Sequence, residues 1–273
     1  MSGFDIAEIA EILREAAKAE VLPRFRRLEA GMVRQKSSAV DLVTEADVAA
    51  EHRIAAAVAA VVPDALFVGE EAASADPSLL DGLADAQLAV VVDPIDGTGN
   101  FAAGLPLFGV MAAVVANGET VAGVIYDPMG DDWVIAEKGA GAWQTRPDGS
   151  GHRLEVSGPA PLEEMVGAVS WHALAPRERA RVVANLDKVR IAASYRCAAH
   201  DYRTFAAGHL HFVMHAKLMP WDHLAGALIS REAGAYVARM DGSPYLPRHR
   251  EGGLLLATDR ESWVALRSEV FTV

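Results

Sequence analysis

The chain contains a single cysteine, Cys197, so no intrachain disulfide can form and a disulfide-stapled scaffold is excluded. No apolar run approaches the roughly 18 residues that cross a bilayer, and the sequence does not open with a basic segment followed by an apolar one. A water-soluble, cytoplasmic protein is the expectation, with no membrane partner. Basic residues are scarce as well. Lysine and arginine number 25 against 37 acids, a formal net charge of −12, which disfavours nonspecific binding to nucleic acid or anionic lipid. Phosphate chemistry stays open, because carboxylates gathered around bound cations become electropositive once loaded. Internal repeats and low-complexity tracts are also missing, which argues against solenoids and disordered tails.

What is present reads as a folded α/β chain. A hydrophobic share of 51% over 273 residues can bury a large core, in one unit or in two closely packed halves without a visible linker. Asp5 and Glu8 have capping-box spacing, and Ile6, Ile9, Ile12 and Leu13 recur at helical intervals, predicting a helix to about Leu22. A polar loop at Lys36-Ser37-Ser38 follows. Thr44 and Asp47 then open an alanine-rich helix that ends before Pro63. Apolar runs over residues 107–116, 120–126 and 133–137, with Asn117-Gly118 as a hairpin signal, predict an antiparallel meander continuing through Gln144. Residues 1–155 thus form an N-terminal α+β half. Residues 156–273 alternate strand and helix: strands at 165–171, 189–194 and 210–214, helices at 176–188 and 198–207. After Pro220-Trp221-Asp222 a helix runs to Gly234, then come strands at 236–240 and 253–258 and a closing helix over 261–270.

The chemistry concentrates in Leu88-Ala-Val-Val-Val-Asp93-Pro-Ile-Asp96-Gly97-Thr98-Gly99-Asn100-Phe101. The valine-rich run 88–92 predicts a buried strand that stops at Asp93, with Pro94 stiffening a turn and Gly97 allowing a bend. Two adjacent carboxylates repel unless a cation lies between them, and Mg²⁺, Mn²⁺ or Ca²⁺ is the usual partner of clustered hard oxygens. A turn with solvated aspartates is the alternative. Residues 65–68 repeat the design, a short strand that breaks at Gly69 and delivers Glu70 and Glu71, and neighbouring strand ends can bring such acids to one point. Asp47 and Asp222 both sit at helix starts, where capping alone accounts for an aspartate.

In order and separation, Asp41-Leu-Val-Thr44-Glu-Ala-Asp47, Gly69-Glu70-Glu71, Asp93-Pro-Ile-Asp96-Gly97-Thr98 and Trp221-Asp222 with Ala225-Gly226 resemble the inositol monophosphatase family of metal-dependent, lithium-sensitive sugar-phosphate phosphatases. The resemblance implies a layered α-β-α-β-α sandwich of mixed α/β (α+β) class. It implies that Glu70, Asp93 and the carbonyl of Ile95 hold one Mg²⁺ and that Asp93, Asp96 and Asp222 hold a second. A third, weaker ion would lie near Glu70, and Mn²⁺ is an acceptable substitute. Thr98 hydrogen-bonded to Asp47 would orient the attacking water, with Glu70 completing the catalytic set, and the amides of Gly97 and Thr98 would bind phosphate. The implied function is hydrolysis of a small phosphorylated metabolite by metal-activated water, in a homodimer. Inositol phosphate, histidinol phosphate, fructose 1,6-bisphosphate and adenosine 3′,5′-bisphosphate are candidate substrates, and a partner of the transcription machinery is the non-enzymatic alternative.

Departures from the resemblance fall on the substrate side. Gly99 stands where members usually have threonine, and Arg196-Cys197-Ala198-Ala199 where many have Gly-Ser-Ala-Ala or Gly-Thr-Ala-Ala. His215 replaces the glutamate that inositol-specific members carry six residues before the tryptophan of Trp221-Asp222. Arg196, Cys197, Ala198, His200 and His215, with Arg203 and Lys217 nearby, are expected to wall the substrate pocket. Such a wall suits an additional anionic group better than a neutral polyol.

Overall fold

Asp5 accepts a hydrogen bond from the Ala7 amide at 2.8 Å and starts helix α1, Ile6–Ala16, whose Ile6, Ile9 and Leu13 are buried. The coil continues as a π turn over Ala17–Val21 and a 3₁₀ turn over Leu22–Arg24, ending where the periodicity predicts. The computed structural model describes residues 3–28, 33–35 and 42–272; Lys36-Ser37-Ser38 and Asp41 lie outside the described residues. Strands β1 (Val33–Gln35) and β2 (Leu42–Thr44) pair antiparallel, a ribbon too short to leave a sequence pattern, and β2 runs directly into α2, Glu45–Val61.

The next segment builds a seven-stranded sheet. It contains β3 (Leu66–Gly69), α3 (Glu70–Ala75), a 3₁₀ stretch over Pro77–Ala84, β4 (Leu88–Asp96) and α4 (Thr98–Ala102), then β5 (Gly109–Ala116), β6 (Glu119–Asp127), β7 (Asp132–Glu137), β8 (Ala142–Thr145) and β9 (Gly151–Leu154). β3 lies parallel to β4, and the rest is an antiparallel meander. The β5–β6 hairpin turns on Asn117 and Gly118, both at positive φ, as its residue types demand.

One expectation is corrected here. β4 does not stop at Val92 but continues through Asp96, with three steps from Asp93 to Asp96 opposed by two from Met111 to Gly109. The extra residue makes a β-bulge, which accommodates Pro94 without a ladder donor and re-aims the carboxylates.

The remaining chain supplies β10 (Val166–Val169), α5 (Pro176–Asn185), β11 (Ile191–Ala193), α6 (Ala198–Ala206), β12 (Phe212–His215), α7 (Pro220–Glu232), β13 (Tyr236–Arg239), β14 (Leu254–Ala257) and α8 (Arg260–Ala265). The five strands order as β11-β10-β12-β14-β13. β10 is shorter than expected because Trp171–Ala173 closes into a 3₁₀ turn.

Strand periodicity decides the layering, since alternate residues face opposite sides of a sheet. Val90 and Val92 join Ile9, Leu13 and Ile54 in a core beneath α1 and α2. Their neighbours Ala89 and Val91 share a second core with Tyr202 and Phe205 of α6, Leu224 and Ala225 of α7, and Val213, Leu254 and Leu256 of the five-stranded sheet. Phe212, Met214 and Leu255, on that sheet's far side, pack with Val182 of α5 and Trp263 of α8. The order is therefore α-β-α-β-α. The middle layer is tight: a β-carbon at Gly123 would meet Ala225 Cα at 2.8 Å, and one at Gly226 would enter the Tyr202 ring. Each fully buried aliphatic side chain contributes about 1.5–3 kcal/mol, and the first two cores hold β4 between them.

Candidate active site

Four chain segments bring acids to one place. Parallel pairing sets Gly69 of β3 beside Val92 of β4, so the next residue on each is an acid, Glu70 and Asp93. Position 69 must be glycine for a steric reason: a β-carbon there would collide with the carboxylate of Glu51, which accepts from the Glu71 and Ala72 amides at 2.7 and 2.8 Å and caps α3. Past the bulge, Asp93 is buried and accepts from the Ile95 amide at 3.0 Å. Asp96 Oδ2 accepts from Cys197 Sγ at 2.9 Å and from the Ala199 amide at 2.6 Å. Asp222 arrives from the first turn of α7, behind Pro220 and Trp221.

Carboxylate oxygens of Asp93, Asp96 and Asp222 all lie within 4.8 Å of one another. Burial pushes all three acids above the ordinary aspartate range, and repulsion from neighbouring carboxylates adds to it for Asp93 and Asp222. For Asp93 burial dominates, followed by the charges of Glu70, Asp96 and Asp222. For Asp222 burial again leads, followed by Glu70 and Asp96. At Asp96 burial outweighs the opposing hydrogen bonds from Cys197 and Ala199. Among the described residues, no lysine or arginine pairs with any of the three. A buried all-oxygen cluster that no described cationic side chain pairs with, Lys217 acting on Asp222 only at longer range, fits a hard divalent cation.

Beside the cluster, Asp47 serves two purposes. Its Oδ2 accepts from the Thr44 amide at 2.8 Å and closes the capping box of α2, as its position suggests. Its Oδ1 receives the Thr98 hydroxyl at 3.1 Å. Thr98 Oγ1 also lies 2.9 Å from the Ile95 carbonyl. Burial, opposed chiefly by the Thr44 hydroxyl, raises the Asp47 carboxyl to about 6. Gly97 precedes Thr98 at φ 86°, a left-handed conformation suited to glycine, and starts α4.

A cavity of about 1140 Å³ opens over these groups, lined by Glu70, Asp93, Ile95, Asp96, Asp222, Gly97 and Thr98. Its other wall includes Arg196, Cys197, Ala198, His215 and Lys217. His215 Nδ1 pairs with Ser170 Oγ at 3.2 Å, while the buried Nε2 has no hydrogen-bond partner among the described residues. Burial and the neighbouring His223 hold the His215 ring neutral, well below its usual range. Cys197 acts chiefly as a buttress, its thiol given to Asp96 and raised by burial.

Two expected wall residues lie elsewhere. His200 turns its Nε2 to the Phe108 carbonyl at 3.2 Å and is not part of the lining. Arg203 pairs with Asp132 and donates to the Ile125 carbonyl. Both side chains project from α6 toward the seven-stranded sheet, a direction no motif encodes. Sequence reasoning missed Glu51, one turn after Asp47 on the same helical face, where i,i+4 spacing was an available signal. It also missed Ser170, Trp171, His172 and Arg179, which line the cavity from the turn after β10 and from α5 and carry no motif.

The model of the inositol monophosphatase family matches residues 5–268. An inositol-1-monophosphatase from Mesorhizobium japonicum is 35% identical over 74% of this chain and 73% of its own length. A fructose-1,6-bisphosphatase/inositol-1-monophosphatase from Thermotoga maritima is 33% identical over 77% of this chain and 76% of its own. The solved structure of the extragenic suppressor protein suhB from Bartonella henselae superposes with a TM-score of 0.82 at 28% identity, covering 97% of both chains. Layer order, acid cluster and whole-length similarity agree, and the chain belongs to the inositol monophosphatase family.

Proposed function

We propose that this protein is a Mg²⁺-dependent phosphomonoesterase acting on a small phosphorylated metabolite, with Glu70, Asp93, the Ile95 carbonyl, Asp96 and Asp222 holding two to three ions. The observation that carries the reading is the convergence of three carboxylates within 4.8 Å in the same cavity as Thr98, whose hydroxyl is backed by the buried Asp47. When bound, the ions supply positive charge for the phosphoryl oxygens and the departing alkoxide and make water more acidic. Thr98 gives its proton to Asp47 and keeps lone pairs free to accept from a water, which fixes that water's orientation. Asp47, raised to about 6, is suited to share a proton through the same hydroxyl near neutral pH. The amides of Gly97 and Thr98 are assigned to phosphate oxygens.

A role as a partner module alone would leave the buried acid cluster as an uncompensated cost to folding, so hydrolysis is the favoured reading. The homodimer and the cytoplasmic location suggested by family resemblance belong to the same proposal; light scattering and cell fractionation check them. The defining test is phosphate release from inositol 1-phosphate, histidinol phosphate, fructose 1,6-bisphosphate and adenosine 3′,5′-bisphosphate, with and without Mg²⁺. No release from any of them, or release independent of divalent ions, overturns the reading.

A further inference from the structure

We propose that Arg196 is a specificity-determining contact that holds a second anionic group, phosphate or carboxylate, on the substrate. The inference deepens the hydrolase reading above and rests on it for the bond that is broken.

The backbone gives the first reason. Arg196 adopts φ 56°, a left-handed conformation that is sterically unfavourable for a residue with a β-carbon and that glycine adopts freely. An arginine retained there gains nothing from the local backbone, so its value lies in the side chain.

That side chain has a built seat. A β-carbon on Gly99 would fall 2.8 Å from Arg196 Nη2, so the guanidinium lies against the Gly99 backbone, one residue beyond Thr98. Any side chain at 99 would displace it. The root of Arg196 is fixed on both sides as well. Asn100 Nδ2 donates to the Tyr195 carbonyl at 2.7 Å, and Cys197 Sγ and the Ala199 amide both donate to Asp96. The arginine is thus tied to the acid cluster and to α4, with its head in the cavity.

The head meets no partner among the described residues. Among the described residues it makes no hydrogen bond and no ion pair, although a guanidinium carries five donors in a planar fork matched to phosphate and carboxylate. It stands beyond ion-pair distance of every described carboxylate, so its fork is open to an anionic group brought by the substrate. Arg179 and Lys217 line the same cavity, and the positive charges of Arg196 and Arg179 depress His172 after burial does. The cavity therefore has an acidic pole, which cations would convert to a phosphoryl site and on which Lys217 acts through Asp222, and a cationic side formed by Arg196 and Arg179. Its volume of about 1140 Å³ leaves room for a substrate that reaches both.

The test is equilibrium binding by calorimetry to the Mg²⁺-loaded protein, with three probes that cannot be hydrolysed. Propylphosphonate carries one anionic head, propane-1,3-bisphosphonate adds a second phosphonate, and 3-phosphonopropionate adds a carboxylate. Wild-type preference for a two-headed probe over propylphosphonate should fall about 10- to 100-fold in Arg196→Ala, the worth of a charge-assisted bidentate contact. Arg196→Lys should keep part of that preference, and Gly99→Thr should lose it with Arg196 intact. Thermal melts establish that the variants are folded. The two-headed probe that loses more identifies phosphate or carboxylate as the preferred group. A preference unchanged within threefold overturns the inference, as does equal weakening of all three probes, which would put Arg196 on the scissile group. If the binding pattern holds but wild type releases no phosphate from any monoester, the hydrolase reading fails and the anion contact stands.

Discussion

Asp93→Asn should abolish phosphate release and at the same time stabilise the metal-free protein. Two unit charges at the 4.8 Å limit that bounds the Asp93, Asp96 and Asp222 oxygens repel by about 3.5 kcal/mol at an effective dielectric of 20. The folded chain can escape that repulsion only by protonating a carboxylate, which at pH 7 costs less than the roughly 4 kcal/mol of an unperturbed aspartate, because burial raises all three acids. Replacing the central acid with its neutral isostere relieves part of the smaller quantity, about 2–3 kcal/mol. In a chain of 273 residues that corresponds to a rise in Tm of roughly 4–8 °C. Asn keeps the oxygen that accepts from the Ile95 amide, so the bulge survives. Calorimetry in chelator and then in excess Mg²⁺ reads both halves of the argument: wild type gains stability from the ion by mass action, and the variant gains little. A variant no more stable than wild type in chelator, or one that Mg²⁺ stabilises equally, would refute the cluster as a cation site.

Thr98→Val, isosteric but without the hydroxyl given to Asp47, should lower kcat by about 100-fold while Tm changes little; a kcat within threefold of wild type would remove the water-orienting role. Asp131→Asn should destabilise at neutral pH. Asp131 is held below the usual range first by its hydrogen bond to Arg14, with Tyr126 and Lys18 adding to it. Because its side chain is 43% exposed, the screened interaction is worth about 1 kcal/mol. The folded-state pKa is depressed, so this stability is present above about pH 4 and lost as pH falls through the lower folded value. Melts at pH 7 and below 4 should show the deficit shrinking with acid, and a constant deficit would assign it to packing. Gly226→Ala drives a methyl into the Tyr202 ring and should cost about 2–3 kcal/mol in urea unfolding, whereas a neutral result would mean that α6 and α7 separate easily.

How much of this was legible depends on whether the signal was local. The capping box at Thr44 and Asp47, the hairpin at Asn117-Gly118 and the strand-then-acid design at Glu70 and Asp93 are short-range patterns, and the structure bears them out. The reach of β4 to Asp96 was not legible, because Pro94 and Gly97 read as turn residues whereas a bulge paired with β5 accommodates the proline. His200 and Arg203 share a helix with residues close to the cavity, yet face the seven-stranded sheet. Proximity in sequence could not separate them from Arg196, which lines the cavity just before α6 begins. Gly99 appeared as a small departure beside the ligands and acquires meaning only with the Arg196 guanidinium seated against it.

The sequence by itself determined which oxygens were available, which helices and strands would form and, through four spaced motifs, the family to which they belong. These properties follow from residue type and short-range periodicity, which the chain carries wherever it folds. Tertiary structure decided which acids meet, since Asp93 and Asp222 lie far apart along the chain and converge only because α7 packs between the two sheets. It also decided that Arg196 lines a cavity with no partner among the described residues while Arg203 is neutralised by Asp132. Burial and pairing depend on residues distant in sequence, and those two quantities separate a functional charge from a structural one.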